Sequence, residues 1–193
     1  MKTFVLNEKE ISMTTEWNEL SLGQYINFMK LNERREKEEM VQDFYLLSLM
    51  EVLCKVDENE LDDLSLAEYQ ENLEAMKFLL DTPTVEDTDV IEIDGVKYCL
   101  PQRFDSLSAG EYISIKTLQS RYENNIEGLP YLVAVILRPL KEEQVDAETG
   151  EKVYIQEKFD TKNLQWRADL FNDKLQISKI MTAIGFFFNG NKS

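Results

Sequence analysis

Three stretches of the chain repeat one arrangement of apolar and polar positions. Residues 17–25 read Trp-Asn-Glu-Leu-Ser-Leu-Gly-Gln-Tyr, residues 61–69 Leu-Asp-Asp-Leu-Ser-Leu-Ala-Glu-Tyr and residues 104–112 Phe-Asp-Ser-Leu-Ser-Ala-Gly-Glu-Tyr. Their serines, Ser21, Ser65 and Ser108, stand 44 and 43 residues apart. A serine followed three positions on by Gln24, Glu68 or Glu111 is a capping box. In that motif the hydroxyl takes an orphan amide of the first turn, and the Gln or Glu side chain returns to the serine amide. Leu20 with Tyr25, Leu64 with Tyr69 and Leu107 with Tyr112 have staple spacing, and Trp17, Leu61 and Phe104 would lay the incoming chain over each helix base. The pattern predicts three helix starts.

A period near 44 residues matches the length of helical solenoid units. The three copies lead into different segments, however, so one efficient start signal used three times is the simpler reading. The first copy leads to a second helix carrying Met40, Phe44, Leu47 and Val52, and the second to a single helix ending near Leu80. The third leads to a helix, a break at Gly128-Leu129-Pro130, and an apolar helix to about Leu137. Between them, residues 81–89 form an acidic linker.

Alternation replaces helical spacing at residues 90–100, Val-Ile-Glu-Ile-Asp-Gly-Val-Lys-Tyr-Cys-Leu. Asp94-Gly95 suits a two-residue type I′ turn, which sets Ile93 opposite Val96 and Ile91 opposite Tyr98. Ile91, Ile93, Val96, Tyr98 and Leu100 would then share one face and need a surface to pack on. A second hairpin or arm, about 144–157, is predicted around Glu148-Thr149-Gly150, with too little apolar surface for an interior. Helix resumes near Thr161. Ile177, Ile180, Met181, Ile184, Phe187 and Phe188 read as one helical stripe ending at Asn189-Gly190. The expected fold is α+β and mainly helical: a single domain of 1–193, divisible into a helical unit of 1–80 and a hairpin-plus-helices unit of 90–193.

Charge narrows the partners. Against 37 acidic residues stand 21 basic ones and no histidine, a formal charge of −16, while 43% of residues are hydrophobic. That apolar share supports a real core. The negative charge disfavours nonspecific grip on nucleic acid or anionic lipid. Without histidine there is no Ser-His or Cys-His nucleophile and no His-based metal site. No apolar run reaches the roughly 18 residues of a membrane span. Met1 to Glu8 turns acidic too soon for a secretory signal. Lone Cys54 and Cys99 fit a reducing cytosolic compartment better than a disulfide scaffold.

Candidate chemistry is sparse. Acidic residues at Glu33, Glu36, Glu38 and Glu39, at Glu58, Glu60, Asp62 and Asp63, and at Glu86, Asp87 and Asp89 fall on predicted polar faces or loops. The run Asp57 to Asp62 starts like a calcium loop but places Leu61 at a ligand position. Glycines are scattered, so no phosphate loop is present. Arg121, Arg138 and Arg167 stand apart in the sequence. The chain is therefore expected not to be an enzyme and to need no cofactor or metal.

The segment Trp-Asn-Glu-Leu-Ser-Leu-Gly-Gln-Tyr-Ile-Asn-Phe-Met-Lys-Leu, residues 17–31, resembles the opening of small virion or assembly proteins of tailed phages, particularly crAss-like phages of Bacteroides. Ile-Glu-Ile-Asp-Gly-Val-Lys-Tyr, followed by Leu-Ser-Ala-Gly-Glu-Tyr-Ile, is similar in style, so the resemblance covers roughly residues 14–120. It implies a non-enzymatic cargo, ring or tail component of the virion, with portal, ring or tail subunits as partners and a possible homo-oligomer. Trp17, Tyr25, Val153, Tyr154, Ile155, Phe187 and Phe188 are the candidate contact residues, each of which could instead be core. Two other readings stay open: an assembly chaperone absent from the finished particle, and an acidic mimic of DNA that blocks a host DNA-binding protein.

Overall fold

The computed structural model describes the backbone of residues 1–189 except 38, 39, 58, 87, 102–106, 124 and 148, with side chains described through residue 185. Among these the chain is α+β and mainly helical, with seven helices, a two-stranded sheet and a four-stranded sheet. It divides into two compact units, Met1–Val85 with Gln176–Ser178, and Glu86–Leu175 with Lys179–Ser193. The division falls inside the 81–89 linker.

The first unit opens with a hairpin that sequence reasoning missed. Strand β1 (Lys2–Leu6) pairs antiparallel with β2 (Lys9–Met13), Leu6 opposite Lys9. Asn7 and Glu8 of its turn have φ of 50° and 65°, the left-handed pair of a type I′ turn. Glutamate is rare in that conformation. Next come helices α1 (Leu22–Glu36), α2 (Gln42–Cys54) and α3 (Leu66–Ala75, continued by a tight turn over Met76–Leu80). Both expected capping boxes here are formed, at Ser21 with Gln24 and at Ser65 with Glu68. Gln24 does more than cap. Buried, it takes the Ser21 N–H at 3.0 Å and donates to Thr14 Oγ1 at 3.0 Å and Leu53 O at 2.9 Å. Thr14 N–H also donates to Leu53 O, at 3.0 Å. One cap residue thus ties the start of α1 to the ends of β2 and α2. Met13, Leu20, Leu22, Met50 and Leu61 are fully buried in this unit.

The second unit carries the predicted hairpin, β3 (Val90–Ile93) and β4 (Val96–Cys99), in the expected register. Asp94 and Gly95, at φ 50° and 77°, make its turn. The face needs one correction: Ile91, Ile93 and Tyr98 are buried, but Val96 is 43% exposed because it sits at the hairpin tip, beside the turn. Helix α4 (Ala109–Tyr122) starts with the third capping box, Ser108 with Glu111. Its staple differs from expectation, since Tyr112 is 56% exposed, with Lys116 Nζ 5.9 Å from its ring centre. Phe104 lies outside the described residues.

A tight turn (Ile126–Gly128) leads to α5 (Leu129–Ile136), every residue of which except Tyr131 is buried. Pro130 occupies its first turn, where no helical N–H is lost. Strands β5 (Arg138–Val145) and β6 (Lys152–Gln156) precede helices α6 (Leu164–Lys174) and α7 (Met181–Asn189). Ile115, Leu118, Leu132, Val135, Ile136 and Ala183 form one apolar cluster, with Tyr122, Tyr131 and Phe159 against it. Tyr98 and Phe171 meet edge to face at 5.1 Å.

The C-terminal stripe is not one helix. Helix α6 ends as Leu175 turns extended, and Ile177 belongs to a short tight turn, Ile177–Lys179, ahead of α7. In the first unit, Ile177 N–H donates to Leu20 O at 2.9 Å and Gln176 bridges to Ser21. Those bonds draw the backbone out of helix, a cause invisible to local periodicity.

Candidate interaction surface

The predicted arm exists, but it is longer than expected and not detached. Strand β5 begins at Arg138 and pairs with β4 through Cys99 opposite Arg138 and Tyr98 opposite Pro139. The sheet order is therefore β3-β4-β5-β6, with β6 at its edge. Along the arm, Glu143 faces Tyr154, Gln144 faces Val153 and Val145 faces Lys152. A register shift between Leu140 and Glu142 bends the pair near its root. At the tip, Thr149 N–H donates to Asp146 Oδ1 at 2.8 Å and Asp146 N–H to Glu151 O at 2.9 Å. Glu148, the first turn residue named from sequence, lies outside the described residues. Lys152 Nζ lies 2.6 Å from Glu143 Oε1, and that hydrogen bond raises the lysine's pKa.

Of the candidate contact residues, Val153, Tyr154 and Ile155 come together on β6 and are half-buried. Trp17 is placed elsewhere: it is 6% exposed in the first unit, donating from Nε1 to Phe78 O at 2.9 Å and meeting the Phe78 ring edge to face at 5.8 Å. Tyr25, on α1, is half-buried, and burial raises the pKa of its phenol. The side chains of Phe187 and Phe188 lie outside the described residues. Sequence reasoning passed over Val145 and Trp166, which are 65% and 59% exposed. Trp166 stands four residues before Leu170 on α6, a spacing that suits core as well as surface, so only the structure distinguishes it from a core tryptophan.

Arginines that stand apart in sequence meet at the root of the arm. Arg138 Nη2 lies 2.6 Å from Glu111 Oε1, with both side chains buried or nearly so. Its Nη2 also donates to Gln156 Oε1 at 2.5 Å, and its Nη1 to Glu157 O at 2.8 Å. Gln156 Nε2 in turn donates to Ile136 O at 2.7 Å and to Cys99 O. Arg167, also buried, donates to Ala134 O at 3.3 Å and Asp160 O at 3.2 Å. Burial lowers the pKa of both guanidiniums. The Glu111 charge opposes this at Arg138, and the Arg138 charge adds to it at Arg167. Guanidinium remains protonated under such shifts.

Other chemistry-bearing groups are sealed. Burial and the nearby Glu51 charge push the Cys54 thiol up to about 12, and burial pushes Cys99 to about 11 despite Arg138. Both are free thiols. Glu51, 6% exposed, accepts the Asn59 N–H at 2.7 Å. Among the described residues, no three acidic, histidine or cysteine side chains are grouped to hold a metal ion. Glu38, Glu39, Glu58 and Asp87 lie outside them. A cavity of about 400 Å³ in the first unit opens beside β2, lined by Ile11, Ser12, Leu53, Cys54 and Val56 among others. No described helix is long and apolar enough to cross a membrane. Comparisons with protein-family models, curated proteins and solved structures return no match.

Proposed function

We propose that the chain is a non-enzymatic interaction protein of a tailed-phage particle, a cargo, ring or tail component that works through protein–protein contacts. The observation that carries the reading is the β5–β6 arm. It ends a four-stranded sheet in an edge strand bearing Val153, Tyr154 and Ile155, and an edge strand offers main-chain hydrogen bonds to an incoming strand. The phage context rests on the resemblance of residues 14–120. A charge of −16 suits a component that borders packaged DNA without holding it.

The test is mass spectrometry of proteins co-purifying with the tagged chain from phage-producing cells, beside the proteome of finished particles. Portal, ring, tail or capsid subunits at near-stoichiometric amounts, with the chain present in the particle, are expected. The same partners with the chain missing from the particle would make it an assembly chaperone. A host nuclease or polymerase as the main partner would replace the virion reading with DNA mimicry.

A further inference from the structure

The arm is joined to its sheet by very little backbone. Only two residue pairs link β4 to β5, and in one of them the β5 residue is Pro139, which has no N–H to give. Within the arm, by contrast, β5 and β6 pair from Val145 opposite Lys152 to Leu140 opposite Gln156. A stiff ribbon therefore hangs on a short, donor-poor seam. Side chains supply what that seam lacks. Gln156, at the end of β6, reaches past β5 to Cys99 O of β4 and Ile136 O at the end of α5. Arg138, at the start of β5, holds Gln156 and the Glu157 carbonyl on one side and Glu111 of α4 on the other. Glu111 is itself fixed, since its Oε2 accepts the Ser108 N–H at 2.7 Å.

We propose that β5 and β6 form a hinged arm whose angle is set by a clamp of Glu111, Arg138 and Gln156, so that opening the clamp swings the arm without unfolding the body of its unit. Two features favour a clamp that can open. Among the described residues the buried Arg138 Nε has no hydrogen-bond partner, so the guanidinium is incompletely satisfied there. The backbone seam beneath it offers little resistance, being two residue pairs long with Pro139 in one of them. The hinge belongs to the chain itself, whichever partner the arm meets.

Spin labels at Ala147→Cys on the arm tip and Ser120→Cys on α4 report the angle, and both positions are exposed. Pulsed electron resonance of the full chain should give a narrow distance distribution. Gln156→Ala and, separately, Glu111→Gln should each widen it at least twofold, with the far-ultraviolet dichroism of the parent retained. Glu111→Gln also loosens a helix cap, so Gln156→Ala decides if that variant fails to fold. A Gln156→Ala distribution unchanged in width and mean would overturn the hinge. So would loss of helical signal in Gln156→Ala, because the network would then hold the body and not the arm.

Discussion

At the scale of single residues, the structure separates glycines that are needed from those that are merely present. Gly128 has an ordinary backbone, but a Cβ there would meet the Tyr122 side chain at 2.8–2.9 Å, including its Cβ, which cannot swing away. That tyrosine stacks on Tyr131 at 5.6 Å. Gly128→Ala should therefore cost about 1–3 kcal/mol through overpacking, read as a lower urea midpoint at unchanged slope. Parent-like stability would mean that the stack can shift. The two thiols give a second residue-scale test. With Cys54 held near 12, on the order of one part in ten thousand is thiolate at pH 8. Iodoacetamide should leave both cysteines unmodified in the folded chain and label both in denaturant, as counted by intact mass. Labelling of the folded chain within minutes would show that the burial is transient.

At the scale of elements, the same motif does different work in different surroundings. Glu68 caps α3 in the open, and its hydrogen bonds to Ser65 hold its carboxyl below the ordinary 4.5. A folded pKa below the unfolded one gives stability that is present above the unfolded value and is lost as pH falls through the folded value. Glu68→Gln should thus flatten the acid limb of stability below about pH 4.5, because the amide can keep the capping box, as Gln24 does at Ser21, with no charge to titrate. Glu111 caps α4 while buried against Arg138, and removing one partner of a buried pair costs roughly 3–5 kcal/mol. Equal urea midpoints for the two variants would refute the distinction.

Local chemistry was legible at this scale. All three caps and the Asp94-Gly95 register are set by neighbours within a few positions. The β1–β2 hairpin was not legible, since Glu8 at φ 65° runs against its own preference, and Asn7 gains a bond to Asp63 far along the chain. Nor was the break after α6, where a bond from Ile177 to Leu20 overrides an unbroken apolar stripe. The Glu111–Arg138–Gln156 cluster was hidden for the same reason, because residues from α4, β5 and β6 meet only in the folded chain.

For the whole molecule, charge dominates. The described ion pairs Lys37–Glu33, Lys77–Glu74, Lys152–Glu143 and Lys174–Asp94 are solvent-exposed and individually weak. Repulsion among 37 acidic groups opposed by 21 basic ones is the larger effect. Raising ionic strength from about 0.01 to about 0.15 M, which shortens screening from roughly 30 to 8 Å, should raise the melting temperature by a few degrees. A fall would mean that the surface pairs outweigh the repulsion. The order of charges along β6 has a further consequence, for crowding. Two copies of one strand pairing antiparallel about a two-fold axis must set some residue opposite its own copy. Centred on Tyr154, the pairing sets Glu151 against Glu157, and centred on Ile155 it sets Lys152 against Lys158. Like charges directly opposite destabilise a sheet. Those two registers are disfavoured for a second copy, whereas a pairing centred on Val153, with Lys152 opposite Tyr154 and Glu151 opposite Ile155, meets no like charge. Crowded copies are thereby steered away from the Tyr154- and Ile155-centred pairings along β6, and a single Glu157→Lys exchange, which turns Glu151–Glu157 into an opposite-charge pair, should raise self-association in sedimentation at high concentration.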